Sequence, residues 1–146
     1  MAKSITLSAY VKKRNGVALG APESMRNMLS RSLGAGSFHQ FWEYWNPIWG
    51  YYLARLVMRP CLRVLPFSLA LIMTFAVSGA LHDLAVTLVK VRVTLFFTPW
   101  FTLMGLCVLA SKRLPLSYGR RPWLMRAMIN LSIICACLLL TQMLLK

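Results

Sequence analysis

His82 and Asp83 stand inside a stretch, Phe75-Ala76-Val77-Ser78-Gly79-Ala80-Leu81-His82-Asp83-Leu84, that is otherwise apolar enough to cross a bilayer. A charge at mid-bilayer costs roughly 2.5 to 3.5 kcal/mol on insertion scales, so an ionisable side chain at such depth marks a functional position by default. Helical spacing sets what the imidazole can reach. Ser78 and Gly79 lie at i−4 and i−3, small residues that admit a neighbouring helix, a substrate chain or a hydroxyl partner. Asp83 is only one position along, about 100° round the helix, and is a poor partner for its neighbour. Thr87 at i+4, or a basic residue near Lys90, is the expected one. If the helix covers Phe67 to Val89, Ser78 is its middle and His82 lies about 6 Å beyond it at 1.5 Å per residue.

A second constellation precedes this one. From Phe38 to Tyr52 the chain reads FHQFWEYWNPIWGYY, with aromatic residues at 38, 41, 42, 44, 45, 49, 51 and 52. Trp and Tyr gather where hydrocarbon meets headgroups, so this is expected to be an interfacial or re-entrant helix rather than a span. Pro47 suits a first helical position and makes Asn46 the natural N-cap of a helix running to about Arg59. Arg55 and Arg59 fall four apart, with Arg63 in the same series beyond Pro60, a face for lipid phosphate or an anionic ligand. His39 reads as interfacial, and Glu43 as paired with an arginine or facing headgroups. Cys61, Cys107, Cys135 and Cys137 lack metal or redox spacing and read as small hydrophobes, with Cys61 near enough the interface for palmitoylation.

The elements that must position these groups follow from composition. The 146 residues are 58% hydrophobic, with a mean hydropathy of +0.60, which indicates an all-α integral membrane protein. The net charge of +14 comes from 17 basic and 3 acidic residues. The basic residues cluster between long apolar runs, where they act as topology signals and contacts to membrane lipids. No basic groove with a nucleic-acid-binding pattern is present, and nucleic acid is not an expected partner. Three transmembrane helices are predicted after the aromatic helix: Leu65 to Val89, Val93 to Ala110 with Pro99 and Gly105 as kink or close-packing points, and Trp123 to Leu145 with Arg126 snorkelling out of its start. The organisation is therefore a basic N-terminal segment (1–36), an aromatic segment (37–63) and a three-helix transmembrane region (64–146).

Within the first segment no cleavable signal peptide is expected, a short helix is predicted around Glu23 to Ser32, and Gly34-Ala35-Gly36-Ser37 reads as a flexible joint. Nine basic residues precede the first span and five lie between Lys112 and Arg126, against Lys90, Arg92 and Lys146 on the other side. That alternation predicts a multi-pass protein with its N-terminus in the cytosol, in either the plasma membrane or the endoplasmic reticulum.

The two constellations together resemble the membrane-bound O-acyltransferases. Trp42, Trp45 and Asn46 in the form FWxxWN, followed by Ser78-Gly79-x-x-His82, look like the active-site half of that family. Ser37-Phe38-x-x-Phe41-Trp42 and His82-Asp83-Leu84 are most similar to its wax-synthase-like and sterol-acyltransferase-like branches. The resemblance implies transfer of an acyl group from a thioester such as acyl-CoA, as co-substrate, to a hydroxyl acceptor, with no metal and no bound cofactor. His82 would be the general base, since an uncharged imidazole offers one ring nitrogen to a proton. Asn46 would direct its amide N–H at the oxyanion while its carbonyl oxygen caps the helix. Trp42, Trp45, Ser78 and Gly79 would contact substrate. Family members carry further spans ahead of the FWxxWN block, which implies a partner chain, self-association or a truncated form. The alternative expectation is a non-catalytic membrane subunit or lipid-binding scaffold that keeps the motif for packing.

Overall fold

The computed structural model describes residues 4–146 and is all-helical, with no strand among the described residues. Helix α1 (Leu7–Asn15) starts at Thr6, whose hydroxyl accepts the Ala9 N–H, and stops at Gly16, where φ of +79° gives the left-handed turn that glycine adopts without strain. Helix α2 is Ser24–Leu33 and α3 is Phe38–Tyr44. Helix α4 (Pro47–Leu53) runs without a break through a π-helical turn, Ala54–Met58, into α5 (Arg59–Cys61). The proline-opened helix expected from Asn46 to about Arg59 is thus present, with one widened turn before Pro60.

Two of the remaining helices, α6 (Phe67–Lys90) and α8 (Trp123–Leu144), are long and apolar enough to cross a bilayer. Between them α7 (Phe97–Arg113) has 17 residues, about 26 Å at 1.5 Å per residue. It begins four residues later than the sequence predicts, and the cause is Asp83. That carboxylate is buried, and it accepts the N–H groups of Phe96 and Phe97 on Oδ1 and the N–H and hydroxyl of Thr98 on Oδ2, all at 2.7 to 2.8 Å. It satisfies donors that a helix start leaves open and sets a negative charge at the positive end of the helix dipole. Pro99 consequently falls in the first turn, where a missing N–H costs nothing, so of the two roles expected of it, kink or close-packing point, it does not take the first.

Helices α6 and α7 form an antiparallel hairpin. Val91, left-handed at φ of +52°, turns the chain out of α6, and the Thr87 hydroxyl accepts the Thr94 N–H across the turn. Small residues set the closeness of the pair. A Cβ on Gly79 would lie 2.5 Å from the Phe97 carbonyl oxygen, and one on Gly105 would lie 2.9 Å from Phe75 Cβ.

The N-terminal helices are bound to this frame at α8. The α2 end carries open carbonyls, and α8 supplies their donors. Trp123 Nε1 donates to Ser30 O, Arg126 to Gly34 O, and Asn130 Nδ2 to both Leu33 O and Ala35 O. The Tyr118 hydroxyl closes the cluster on Asn130 Oδ1 at 2.5 Å. Gly34 to Ser37 is accordingly a fastened and largely buried strap, not a flexible joint, and Arg126 turns inward to a carbonyl where snorkelling was expected. The aromatic segment is divided as well. Phe38 and Phe41 are each 2% exposed and form the core with Met104, Val108 and Cys137, so these two rings of the block serve packing.

Removing the Asp83 carboxylate should unfasten the hairpin. We expect Asp83→Ala to destabilise the protein by about 2 kcal/mol, the upper end for a lost cap, and Asp83→Asn by less, because one carboxamide oxygen still accepts. Thermal unfolding in detergent micelles reads both; midpoints equal to wild type would contradict the capping role. Burial also pushes the Tyr118 phenol up to about 12, whereas an unfolded chain releases that proton near pH 10. The stabilising contribution is then complete below about pH 10 and is lost as pH rises toward about 12. Tyr118→Phe should flatten that part of the pH–stability curve relative to wild type.

Candidate functional site

A cavity of about 300 Å³ lies between α4, α6 and the α3–α7 layer. Phe67, Leu71, Thr74, Ser78 and His82 of α6 line it, spaced by three or four so that they share one helix face. The fifteen steps from Phe67 to His82, at about 1.5 Å each, make that face about 22 Å long. The opposite wall comes from Trp42, Trp45, Asn46, Trp49 and Leu53, and charged side chains from Arg14, Glu43 and Lys112 also line it. Arg14 pairs with Glu43 at 3.1 Å, the arginine partner that the sequence left open for this glutamate.

His82 is half-buried, and its ring is enclosed by Phe101 at 4.9 Å, Phe97 at 5.7 Å and Trp49 at 5.8 Å between centroids, the last edge-on at 85°. Nδ1 lies 2.7 Å from the Ser78 carbonyl oxygen. A carbonyl only accepts, so Nδ1 carries a proton, and in the neutral ring the lone pair is then on Nε2. The partner is therefore the backbone one turn back. Thr87, expected in that role, is spent on Thr94, and Lys90 is exposed at the helix end. Asp83, adjacent in sequence, points to α7 as the 100° step predicts.

The predicted site residues separate into those the fold gathers and one it does not. His82, Asn46, Trp42, Trp45 and Ser78 all line the cavity. Asn46 is exposed and adopts a left-handed backbone at φ of +40°, and its Oδ1 caps α4 by accepting the Trp49 N–H at 3.2 Å, while its Nδ2 donates to no group among the described residues. Trp42 stands between α3 and the hairpin, edge-on to Phe75 at 5.3 Å, with its indole N–H buried and unpaired. Gly79 is the exception. It is turned onto Phe97 and Thr98, so it holds the helices together and touches no substrate space.

Two residues that the sequence reading assigned no part belong to the site. Trp49 donates its indole N–H to Ser78 Oγ at 2.9 Å and so ties α4 to α6 beside His82. One of eight aromatics in a short block, it carries no distinguishing spacing except that it follows the N-cap by three. His39, read as interfacial, also lines the cavity, with Nδ1 at 3.2 Å from both Ser37 Oγ and Ser111 Oγ. No pattern in the sequence connects His39 with Ser111, since they meet only when α3 packs on α7.

If Gly79 is a packing residue, Gly79→Ala should push α7 away and cost about 1 to 3 kcal/mol. A lowered unfolding midpoint is the expected reading; an unchanged midpoint with altered ligand binding would return Gly79 to the substrate wall.

Comparison with protein-family models, with curated proteins and with solved structures finds no match to this chain.

Proposed function

We propose that the chain is a membrane-embedded acyltransferase, or the catalytic half of one, that moves an acyl group from a thioester such as acyl-CoA to a hydroxyl. The observation that carries this reading is His82 at the end of a long, mostly apolar cavity, its Nδ1–H committed to the Ser78 carbonyl and its Nε2 left able to accept a proton. A base so held removes the proton of a hydroxyl as it attacks the thioester carbonyl, and hands it on to the departing thiolate. Asn46 has two N–H donors to offer the oxyanion that forms meanwhile, its oxygen being occupied at the helix start. Trp42, Trp45 and Asn46 of FWxxWN and Ser78 and His82 of SGxxH, the sequence features that resemble membrane-bound O-acyltransferases, line one cavity, which supports the same reading.

In this proposal α6 and α8 cross the bilayer, α7 makes a third and shorter crossing, and α3 to α5 lie at the interface, with Arg59 and Arg63 toward lipid phosphate and Arg55 drawn onto the Tyr51 hydroxyl at 2.6 Å instead. The basic N-terminal side and the α7–α8 loop face the cytosol. A partner chain or a second copy supplies any further wall that the acyl chain needs.

Membranes carrying the chain, given a radiolabelled long-chain acyl-CoA and fatty alcohol, sterol, sugar or peptide acceptors in turn, should form ester. His82→Ala should lower that rate by about a hundred- to ten-thousand-fold, the span of positioned acid–base catalysis, with membrane insertion retained. Asn46→Asp keeps an oxygen for the cap and removes the amide donors. It should therefore lose about a hundredfold or more in turnover, by analogy with other oxyanion donors, at an unchanged unfolding midpoint. If no acceptor yields ester, or if activity in these variants falls only as far as stability does, the chain is a scaffold and not an enzyme.

A further inference from the structure

We infer that Trp49 is the positioning residue for His82, acting through Ser78. Three contacts converge on one turn of α6. The Trp49 indole N–H donates to the Ser78 hydroxyl at 2.9 Å, the Ser78 carbonyl accepts His82 Nδ1–H at 2.7 Å, and the Trp49 ring stands edge-on to the imidazole at 5.8 Å. Ser78 is 3% exposed, so its hydroxyl has no bulk water with which to replace the indole.

The geometry divides the work between the two ends of Ser78. Its carbonyl chooses the tautomer, because only a protonated Nδ1 can bond to it. Its hydroxyl holds the indole, and the indole edge closes one side of the space in which the imidazole could rotate. Phe97 and Phe101 close the others. Each flank is apolar, and among these neighbours only Ser78 offers His82 a hydrogen bond. A ring freed from the Ser78 carbonyl has no second acceptor on these flanks, and its proton can then reside on either nitrogen. With the proton on Nε2 the ring presents no base to the cavity.

Trp49 also follows Asn46 by one helical turn, and its backbone N–H receives the Asn46 cap at 3.2 Å. One residue thus joins the two groups that the proposed reaction needs: its main chain fixes the carboxamide, and its side chain fixes the imidazole. Trp45 and Trp42, equally aromatic and equally close in sequence, make neither contact. The inference rests on the acyl-transfer reading only for its kinetic consequence, since the tautomer is a property of the chain itself.

The test reads both. ¹⁵N-histidine NMR of the detergent-solubilised chain should show His82 in a single tautomer, with Nδ1 protonated and Nε2 bare. Trp49→Phe keeps an aromatic ring and removes the N–H, and Ser78→Ala removes the hydroxyl that accepts it while leaving the carbonyl in place; with the indole no longer held, the imidazole can turn off that carbonyl, and each variant should give a mixture of tautomers. Ser78→Thr, which retains a hydroxyl, should keep the single form. With acyl-CoA and an acceptor, Trp49→Phe and Ser78→Ala should each lower kcat by up to about a hundredfold, the effect of a small misplacement, with KM little changed. The double variant should be no worse than the poorer single one.

A His82 spectrum unchanged by Trp49→Phe overturns the inference, whatever happens to turnover. A spectrum that responds in a chain forming no ester upholds the positioning role and defeats the acyltransferase reading instead.

Discussion

A carboxylate buried in an apolar helix is tolerable only if its oxygens are supplied with donors, and the four that Asp83 receives all come from the first turn of α7. That requirement fixes where α7 begins and in what register it runs back along α6. Gly79 then comes against Phe97 and Thr98, and Gly105 against Phe75, two places where the backbones approach because no Cβ stands between them. The same requirement orients the neighbouring side chain. With Asp83 turned to α7, His82 lies about 100° away on the helix, and that direction is the cavity. The adjacency of the two residues in sequence is a division of labour between a face that fastens α7 and a face that lines the cavity.

A second constraint of the same kind binds the N-terminal third. The carbonyls at the end of α2 would be costly to leave unpaired away from water, and α8 meets them with an indole, a guanidinium and a carboxamide. Helix α3 follows directly and is thereby delivered to the hairpin, with Phe38 and Phe41 inserted into the core. Trp42 and His39 reach the cavity wall as a consequence. The basic N-terminal segment, which composition sets apart from the helices that follow, is mechanically continuous with the site.

Much of this was legible in the chain because the relevant signals are local. Pro47 after Asn46 marked a helix start, the long apolar runs marked α6 and α8 within two residues at each end, and helical periodicity separated His82 from Asp83. What escaped depends on contacts between segments distant in sequence. Asp83 looked like an isolated acid, because three of its four partners are backbone N–H groups, which every residue type but proline has. Arg126 looked like a snorkelling cation, because a carbonyl partner in α2 leaves no trace in composition. Thr87 had the right spacing for His82, yet the carbonyl of Ser78 was nearer, and the turn after α6 had its own use for the hydroxyl. Gly79 was legible as a small residue, but not which neighbour it admits.

The distribution of polarity on the long helices bears on where this site operates. Helix α6 buries Thr74, Ser78 and Asp83 and exposes Leu69, Met73, Leu81, Leu84 and Leu88; α8 buries Asn130 and Thr141 and exposes Leu124, Met128, Leu131 and Leu139. A soluble core helix does the reverse. The buried hydroxyls return to carbonyls of their own helix, Thr74 to Ala70 and Thr141 to Cys137, so they demand nothing from the surroundings. Outward-facing leucine and methionine gain nothing from water and lose nothing in hydrocarbon. A bilayer around α6 would leave His82 with the cavity as its polar outlet.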